Sequence, residues 1–309
     1  MAAQVRVLRQ RVKSVQSTQK TTKAMEMIAT SRIAKAQAKV LAAAPYSAQI
    51  TDVLTALATA STLDHPLLTE RTDAKRAGIL VVTSDRGLAG GYNANALKAT
   101  EELSSLLRSQ GKEPVYFVIG RKGVGYFNFR QRAIADSWTG FSEKPTYDDA
   151  VAAAESLLPA FLVGSAGQQQ DGTAGIDEIH LVSTHFESMI TQKPVVRRVA
   201  PMEIEYVDNS ANDVPLLPAY EFEPAPGALL DALLPKYITT RIYAALLDSA
   251  ASESAARRAA CKAATDNAND IIKILSREAN QARQAQITQE LSEIVGGAAA
   301  LAAAGSEED

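Results

Sequence analysis

The stretch GALLDALLPKYITTRIYAALLDSAASESAARRAACKAATDNANDIIKILSREANQARQAQITQELSEIVGGAAALAAA, residues 227–304, decides how the rest of the chain is read. It holds one proline, Pro235, and no turn cluster before Gly296-Gly297. As one helix it would be about 110 Å long at the usual helical rise. Helices of globular proteins run about 8–20 residues, so this length asks for a partner helix or a surrounding assembly. Ala260, Ala264, Ala268, Ile271 and Leu275 recur at three- and four-residue steps and predict a narrow coiled-coil seam. A second stripe follows in a new phase at Ile287, Leu291, Ile294, Ala298 and Leu301. Between the stripes, residues 276–290 are polar on nearly every face apart from alanines. No single apolar groove holds such a segment, so polar contacts with other chains are expected there.

Working outward, residues 1 to about 60 predict a second long helix. Val5, Leu8, Val12 and Val15 form a heptad seam, and Ile33, Ala36, Val40 and Ala43 resume it in the same register. Gln19, Thr22 and Glu26 take the seam positions between them, so the seam turns polar in its middle. Nine bases face one acid, Glu26, before Pro45. Such a run is a solvated face or a surface for an acidic partner. Nucleic acid is disfavoured, because aromatic interleaving is absent and the chain's net charge is −3. Pro45 is expected to kink or interrupt the helix.

The middle of the chain changes rhythm. Residues 78–83, 114–119 and 179–186 read as buried strands, with 195–199 and 202–207 as edge candidates. Residues 94–110, 124–129 and 147–163 read as helices. Alternating strands and helices predict an α/β domain with a mainly parallel sheet. The fold class is therefore a Rossmann-like α/β domain flanked by long antiparallel N- and C-terminal helices. The expected division is a coiled-coil helix at 1–60, the α/β domain at 75–210, a second coiled-coil helix at 227–304 and an acidic tail at 305–309. Residues 164–175 are a polar, low-complexity insert expected to be a mobile surface loop. Four prolines in 209–226 predict an extended connector.

Composition narrows the chemistry. Of 309 residues, 22% are charged and only 6% aromatic, which fits an elongated protein with a modest core. The single cysteine, Cys261, excludes an internal disulfide. No apolar run is long enough to span a bilayer, and no signal-type core opens the chain, so secretion is not expected. The three histidines do not predict a metal site: His180 and His185 point to opposite faces of one strand, and His65 sits beside a turn proline. The turn Thr83-Ser84-Asp85-Arg86-Gly87-Leu88-Ala89-Gly90-Gly91, between a strand and a helix, is placed where a phosphate loop would be. It lacks the Walker ending and the dinucleotide spacing, so a tight turn with Asp85 and Arg86 paired, or capping the helix, is the preferred reading. No catalytic constellation and no cofactor site emerges.

Three segments in order resemble the γ subunit of F-type ATP synthases, bacterial type. They are QKTTKAMEMIATSRIAKAQ (19–37), SDRGLAGGYNAN (84–95) and the run from Ala245 to Leu301. The likeness extends over the whole chain and is weakest from about 125 to 230. It implies a non-catalytic rotor: an antiparallel helix shaft inside a ring of α and β subunits, and an α/β foot that meets the ε subunit and the c-ring. It implies attachment to the cytoplasmic face of the cell membrane through partners only. By matching position, Lys23, Met25, Arg32 and Lys35 resemble the collar that meets β. Arg283, Gln284 and Thr288 resemble the contacts with a β catch loop. Ile294, Val295, Ala298 and Leu301 resemble the tip held in an apolar bearing. The insert, with Gly167, Gln168, Gln169, Gln170, Asp171 and Gly172, departs from the commoner pattern and is a candidate regulatory loop. Two other classes stay open: a homodimeric coiled-coil scaffold, and an α/β nucleotide-binding enzyme using the 83–91 turn.

Overall fold

The structure is a computed structural model that describes residues 2–60, 65–169, 172–202 and 226–305. Ten elements follow one another: α1 (Ala2–Ala60), β1 (Arg76–Val82), α2 (Tyr92–Ser109), β2 (Glu113–Ile119), α3 (Arg121–Phe129), β3 (Ile134–Trp138), α4 (Tyr147–Val163), β4 (Glu178–Phe186), β5 (Gln192–Ala200) and α5 (Pro226–Gly305). Contacts within the chain divide it into two units, residues 28–259 and the pair of segments 1–27 and 260–309.

The larger unit is built on a five-stranded sheet in the order β3-β2-β1-β4-β5. All neighbours are parallel except β4 and β5. Side chains alternate across it as strand geometry dictates. Ile79 and Val81 of β1 join Tyr116 and Val118 of β2 against Leu103, Leu107 and Phe127 from α2 and α3. Leu80 and Val82 join Phe117 and Ile119 on the other face, against Leu157 and Phe161 of α4, Leu57 of α1, and Leu234, Ile238 and Ile242 of α5. The predicted strands and helices of this domain are present. One strand, β3, escapes the sequence reading because its sequence, IADSW, is polar in the middle and only half-buried. Of the candidate edge segments, 195–199 lies within β5, and Met202 is not in a strand. Residues 203–207 and the connector 209–225 lie outside the described residues. Pro194 sits in β5, at the sheet edge, where a missing N–H costs no ladder bond.

The smaller unit pairs the start of α1 with the end of α5. Gln19 meets Asn269 and Thr22 meets Thr265, so the partners step backwards along α5 as they step forwards along α1. The helices are therefore antiparallel. Val5, Leu8, Val12, Val15, Gln19 and Thr22 are the buried or half-buried line of α1 here. On α5 the facing line is Cys261, Thr265, Ala268, Ile272, Leu275, Ala279, Ala282 and Gln286. Ala268 and Leu275 of the expected α5 seam lie on this line, whereas Ala260, Ala264 and Ile271 each give way to the residue that follows. Ile271 is 46% exposed, whereas Cys261 and Thr265 are buried. Alanines lie on every side of this helix, so they could not fix which side faces inward. The seam also carries on to Gln286, through the stretch expected to lack one.

Pro45 does not interrupt α1, which is helical from Ala2 to Ala60. The helix keeps its seam across the proline, with Ala43 and Ser47 half-buried and Ile50 buried. That packing holds the turn that the proline weakens.

Candidate functional site

The chain offers three surfaces and one buried cluster on which function can rest. The first is the helix pair of the smaller unit. Its middle is closed by two polar contacts, Gln19 Nε2 to Asn269 Oδ1 at 2.7 Å and Thr22 Oγ1 to Thr265 Oγ1 at 2.7 Å. A polar residue at a seam position fixes register at some cost in stability. Toward the α1 start, Arg6, Arg9, Lys13 and Arg283 line a groove of about 710 Å³ over Val5 and Ile287. Gln284 and Thr288 are exposed on the same stretch of α5. Past Ile287, α5 continues to Gly305, where α1 has only its first residues left to offer. Ile294 and Val295 are accordingly 68% and 67% exposed, and Leu291 and Ala298 are exposed as well. Leu301 is helical in backbone; its side chain lies outside the described residues.

The second surface is the outer face of α1. Lys23 is exposed and bonds Glu26 at 3.1 Å, Met25 is half-buried, and Lys35 is exposed. Arg32 is different: its guanidinium pairs with Glu143 of the loop before α4. The structure therefore does not hold Arg32 beside Lys23 and Lys35 as a free surface cation.

Glu143 belongs to the buried cluster. Its carboxylate faces Arg257 of α5 at 3.2 Å and Arg86 at 3.9 Å, besides Arg32. Arg257 also binds Glu253, one helical turn earlier, at 2.7 Å, and donates to the carbonyls of Arg86 and Gly87. Both Glu253 and Arg257 are buried. Burial pushes the Glu253 carboxyl up to about 7 against the pull of Arg257. Four segments, α1, the 83–91 turn, the loop before α4 and α5, meet here. Sequence reading missed Glu253, Arg257 and Glu143. The available signal was an acid and a base four residues apart within a run of small residues, a spacing that brings their side chains together.

The 83–91 turn is occupied by the fold itself. Asp85 accepts from the backbone N–H groups of Arg121 (3.2 Å), Gly140 (2.8 Å) and Ser142 (3.1 Å). Burial alone would raise its carboxyl; these donors outweigh burial and hold it below the ordinary carboxylate value. Asp85 thus caps α3, not α2, and does not pair with Arg86. Ser249 and Ser252 of α5 bond the backbone of Thr184 at the end of β4. In doubly wound sheets the crevice outside the carboxyl ends of the strands is where nucleotides bind. Here α5 fills it. His180 bonds Glu178 at 2.9 Å and His185 bonds Asp248 at 2.5 Å.

The third surface is the insert. Its feet are tied by Asp177, which accepts from the N–H groups of Ser165, Lys75 and Arg76 and from Arg71. Arg71 in turn donates to the carbonyls of Phe161 and Leu162, closing the end of α4. Beyond the feet, Gln168 bridges Ala174, Gln169 N–H reaches Thr173 O, and Gly172 N–H reaches Gln169 O. Among its described residues the insert is thus tied by backbone bonds on both sides of its tip. Gly167 is half-buried; Gln170 and Asp171 lie outside the described residues.

The family model described as ATP synthase matches residues 4–301. An ATP synthase gamma chain of Saccharopolyspora erythraea is 64% identical over 99% of this chain and 100% of its own length. The chain belongs to the ATP synthase gamma chain family. A gamma chain of Mycolicibacterium smegmatis is 60% identical over 98% of this chain and 99% of its own, and one of Salinispora tropica is 60% identical over 99% and 100%. The gamma-chain fold is also found among solved structures. The OSCP/F1/c-ring part of the Euglena gracilis mitochondrial ATP synthase contains a chain with TM-score 0.67 at 14% identity, covering 97% of this chain and 95% of that one. The central stalk and c-ring of the Tetrahymena thermophila enzyme contains one with TM-score 0.55 at 20% identity, covering 79% and 99%. As a gamma chain, the protein is a subunit of ATP synthase. Among the described residues no helix is long and apolar enough to cross a membrane.

Proposed function

We propose that this gamma chain is the central rotor stalk of a proton-translocating ATP synthase, transmitting torque between the c-ring and the catalytic β subunits while catalysing nothing itself. The observation that carries this reading is the pairing of Gln19 with Asn269 and Thr22 with Thr265 inside a helix pair whose longer member runs on as an exposed apolar end. A shaft needs a locked register within and a surface its housing can grip and release. The partners are the α and β subunits around the helices, and the ε subunit and c-ring at the α/β domain, with residues 1–60, 75–210 and 227–304 as the working parts. The chain reaches the cytoplasmic face of the membrane through those partners.

Lys23, Met25 and Lys35 meet β at the collar, and Arg283, Gln284 and Thr288 meet it again where Arg6, Arg9 and Lys13 add positive charge. Arg32 acts through Glu143. Ile294, Val295, Ala298 and Leu301 sit in the bearing. Residues 167–172 touch a neighbouring subunit and bias rotation against ATP hydrolysis; deletion of 166–175 with hydrolysis and synthesis rates unchanged would reject that role.

The test of the whole reading is rotation. Phe129, 86% exposed at the end of α3, is replaced by cysteine and labelled with a visible probe in a complex fixed to a surface through β. Cys261, only 1% exposed, does not compete for the label. ATP should turn the probe. Complexes that hydrolyse ATP with a stationary probe would overturn the proposal.

A further inference from the structure

The β4–β5 hairpin and two helices enclose a groove of about 500 Å³ that the rotor reading leaves unused. Small-molecule sites fall in the range of roughly 300–1,000 Å³. Ser183 pairs with Val195 and Leu181 with Arg197 across the hairpin, so these side chains share one face of the sheet. Arg241 and Ala244 of α5, with Gln37 and Val40 of α1, form the opposite wall.

Two features point to an anion. Arg197 and Arg241 line both this groove and the adjoining one of about 340 Å³. Neither makes an ion pair with any described residue; Arg241 only lies over the Tyr237 ring, 5.9 Å from its centre. Two like charges sharing a groove repel unless a counter-ion sits between them. The one carboxylate in the lining, Asp248, does not serve: it accepts from Phe186 N–H at 2.9 Å and is held by His185 at 2.5 Å. The second feature is Ser183. It is more than nine-tenths buried, and its hydroxyl has no partner among the described residues although it faces the groove. The hydroxyl opens on the groove beside the two arginines, so a ligand oxygen can take the place of water there.

We propose that this groove binds a phosphate group between Arg197 and Arg241, with Ser183 and Gln37 as neutral donors. A phosphate dianion balances two guanidiniums, where a single carboxylate would leave one charge over. Guanidinium and phosphate also match in geometry, two parallel N–H donors to two oxygens. The phosphate is either free or carried by a nucleotide whose apolar parts lie on Val40, Leu41 and Phe186.

The full chain is titrated by calorimetry with inorganic phosphate and, separately, with ADP, both without magnesium. Saturable binding is expected, weakened about tenfold or more by Arg197→Gln and by Arg241→Gln, the loss of one charge-assisted contact. Lys98→Gln, on the exposed face of α2, should change nothing. Tighter binding of ADP than of phosphate assigns the site to a nucleotide, and equal binding assigns it to the free ion. Ser183→Ala, which removes one oxygen, gives a second reading if either arginine variant melts early. Absence of saturable binding by the wild-type chain, or binding that all three variants leave intact, overturns the proposal.

Discussion

Thr22 and Thr265 face each other across the helix pair with their hydroxyl oxygens 2.7 Å apart, both side chains buried. Each hydroxyl also has a carbonyl acceptor in its own helix, Cys261 for Thr265 and Gln19 for Thr22, so one of the two donates across the pair while the other donates within its helix. Replacing Thr22 alone by valine leaves the Thr265 hydroxyl without its cross-helix partner, and should cost about 1–3 kcal/mol. Replacing both by valine should cost less than the sum of the single changes. Urea unfolding of the four proteins reads the difference, and strict additivity would mean that the pair is not coupled.

Glu253 gives the alkaline side of stability. Its carboxyl is pushed up to about 7 in the folded chain, from an ordinary value of 4.5. A group raised on folding contributes stability that is complete below its unfolded value and lost as pH climbs through the folded one. Between about pH 4.5 and 7 the wild type should therefore lose stability that Glu253→Gln retains, at most about 3 kcal/mol. Melting both proteins from pH 5 to 8 tests this. Parallel curves would mean that Arg257 keeps the carboxyl ionised throughout.

Asp177 gives the acid side. Burial would raise its carboxyl, but Ser165, Arg76 and Lys75 donate to it and hold it well below the usual carboxylate range. Its contribution is present above that ordinary range and disappears as pH falls. Asp177→Asn should lower stability by about 1.5–3 kcal/mol at neutral pH, and the gap to wild type should begin to close only below about pH 4. Amide exchange at Ser165 and Lys75 should quicken in the variant at neutral pH, because the feet of the insert lose their shared acceptor.

Gly120 is irreplaceable for steric reasons. Its φ is +95°, and an added Cβ would stand 2.2 Å from the Thr83 carbonyl oxygen. Backbone meets backbone there, so nothing flexible can give way. Gly120→Ala should destabilise the α/β unit by more than 2 kcal/mol, or about that. A thermal melt unchanged by the substitution would contradict the geometry.

The α/β unit was legible because buried runs such as GILVV and HLVS, and the change of rhythm between them, are local signals. The α1 seam was legible for the same reason, down to the polar positions Gln19 and Thr22, which meet Asn269 and Thr265 in the structure. The α5 seam was legible at Ala268 and Leu275 but off by one residue at Ala260, Ala264 and Ile271, because the surrounding alanines mark no side. β3 was missed because Asp136 and Ser137 interrupt its apolar character. Arg32 illustrates a different limit. As a sequence position it reads as a surface cation, and only the fold brings Glu143 to it from more than a hundred residues away. The insert's internal bonds were hidden as well, since glutamine and glycine announce no partner.

The seam of α1 runs in one register from Val5 through Thr22, Ile33 and Ile50 to Leu57. Each residue turns an α-helix by about 100°, whereas seven residues bring it back to within about 20°. Length change in this segment is therefore quantised. Insertion or loss of a heptad shifts everything beyond it along the axis while preserving its heading. One, two or five residues instead swing every later side chain to a new bearing and unseat the fit with α5.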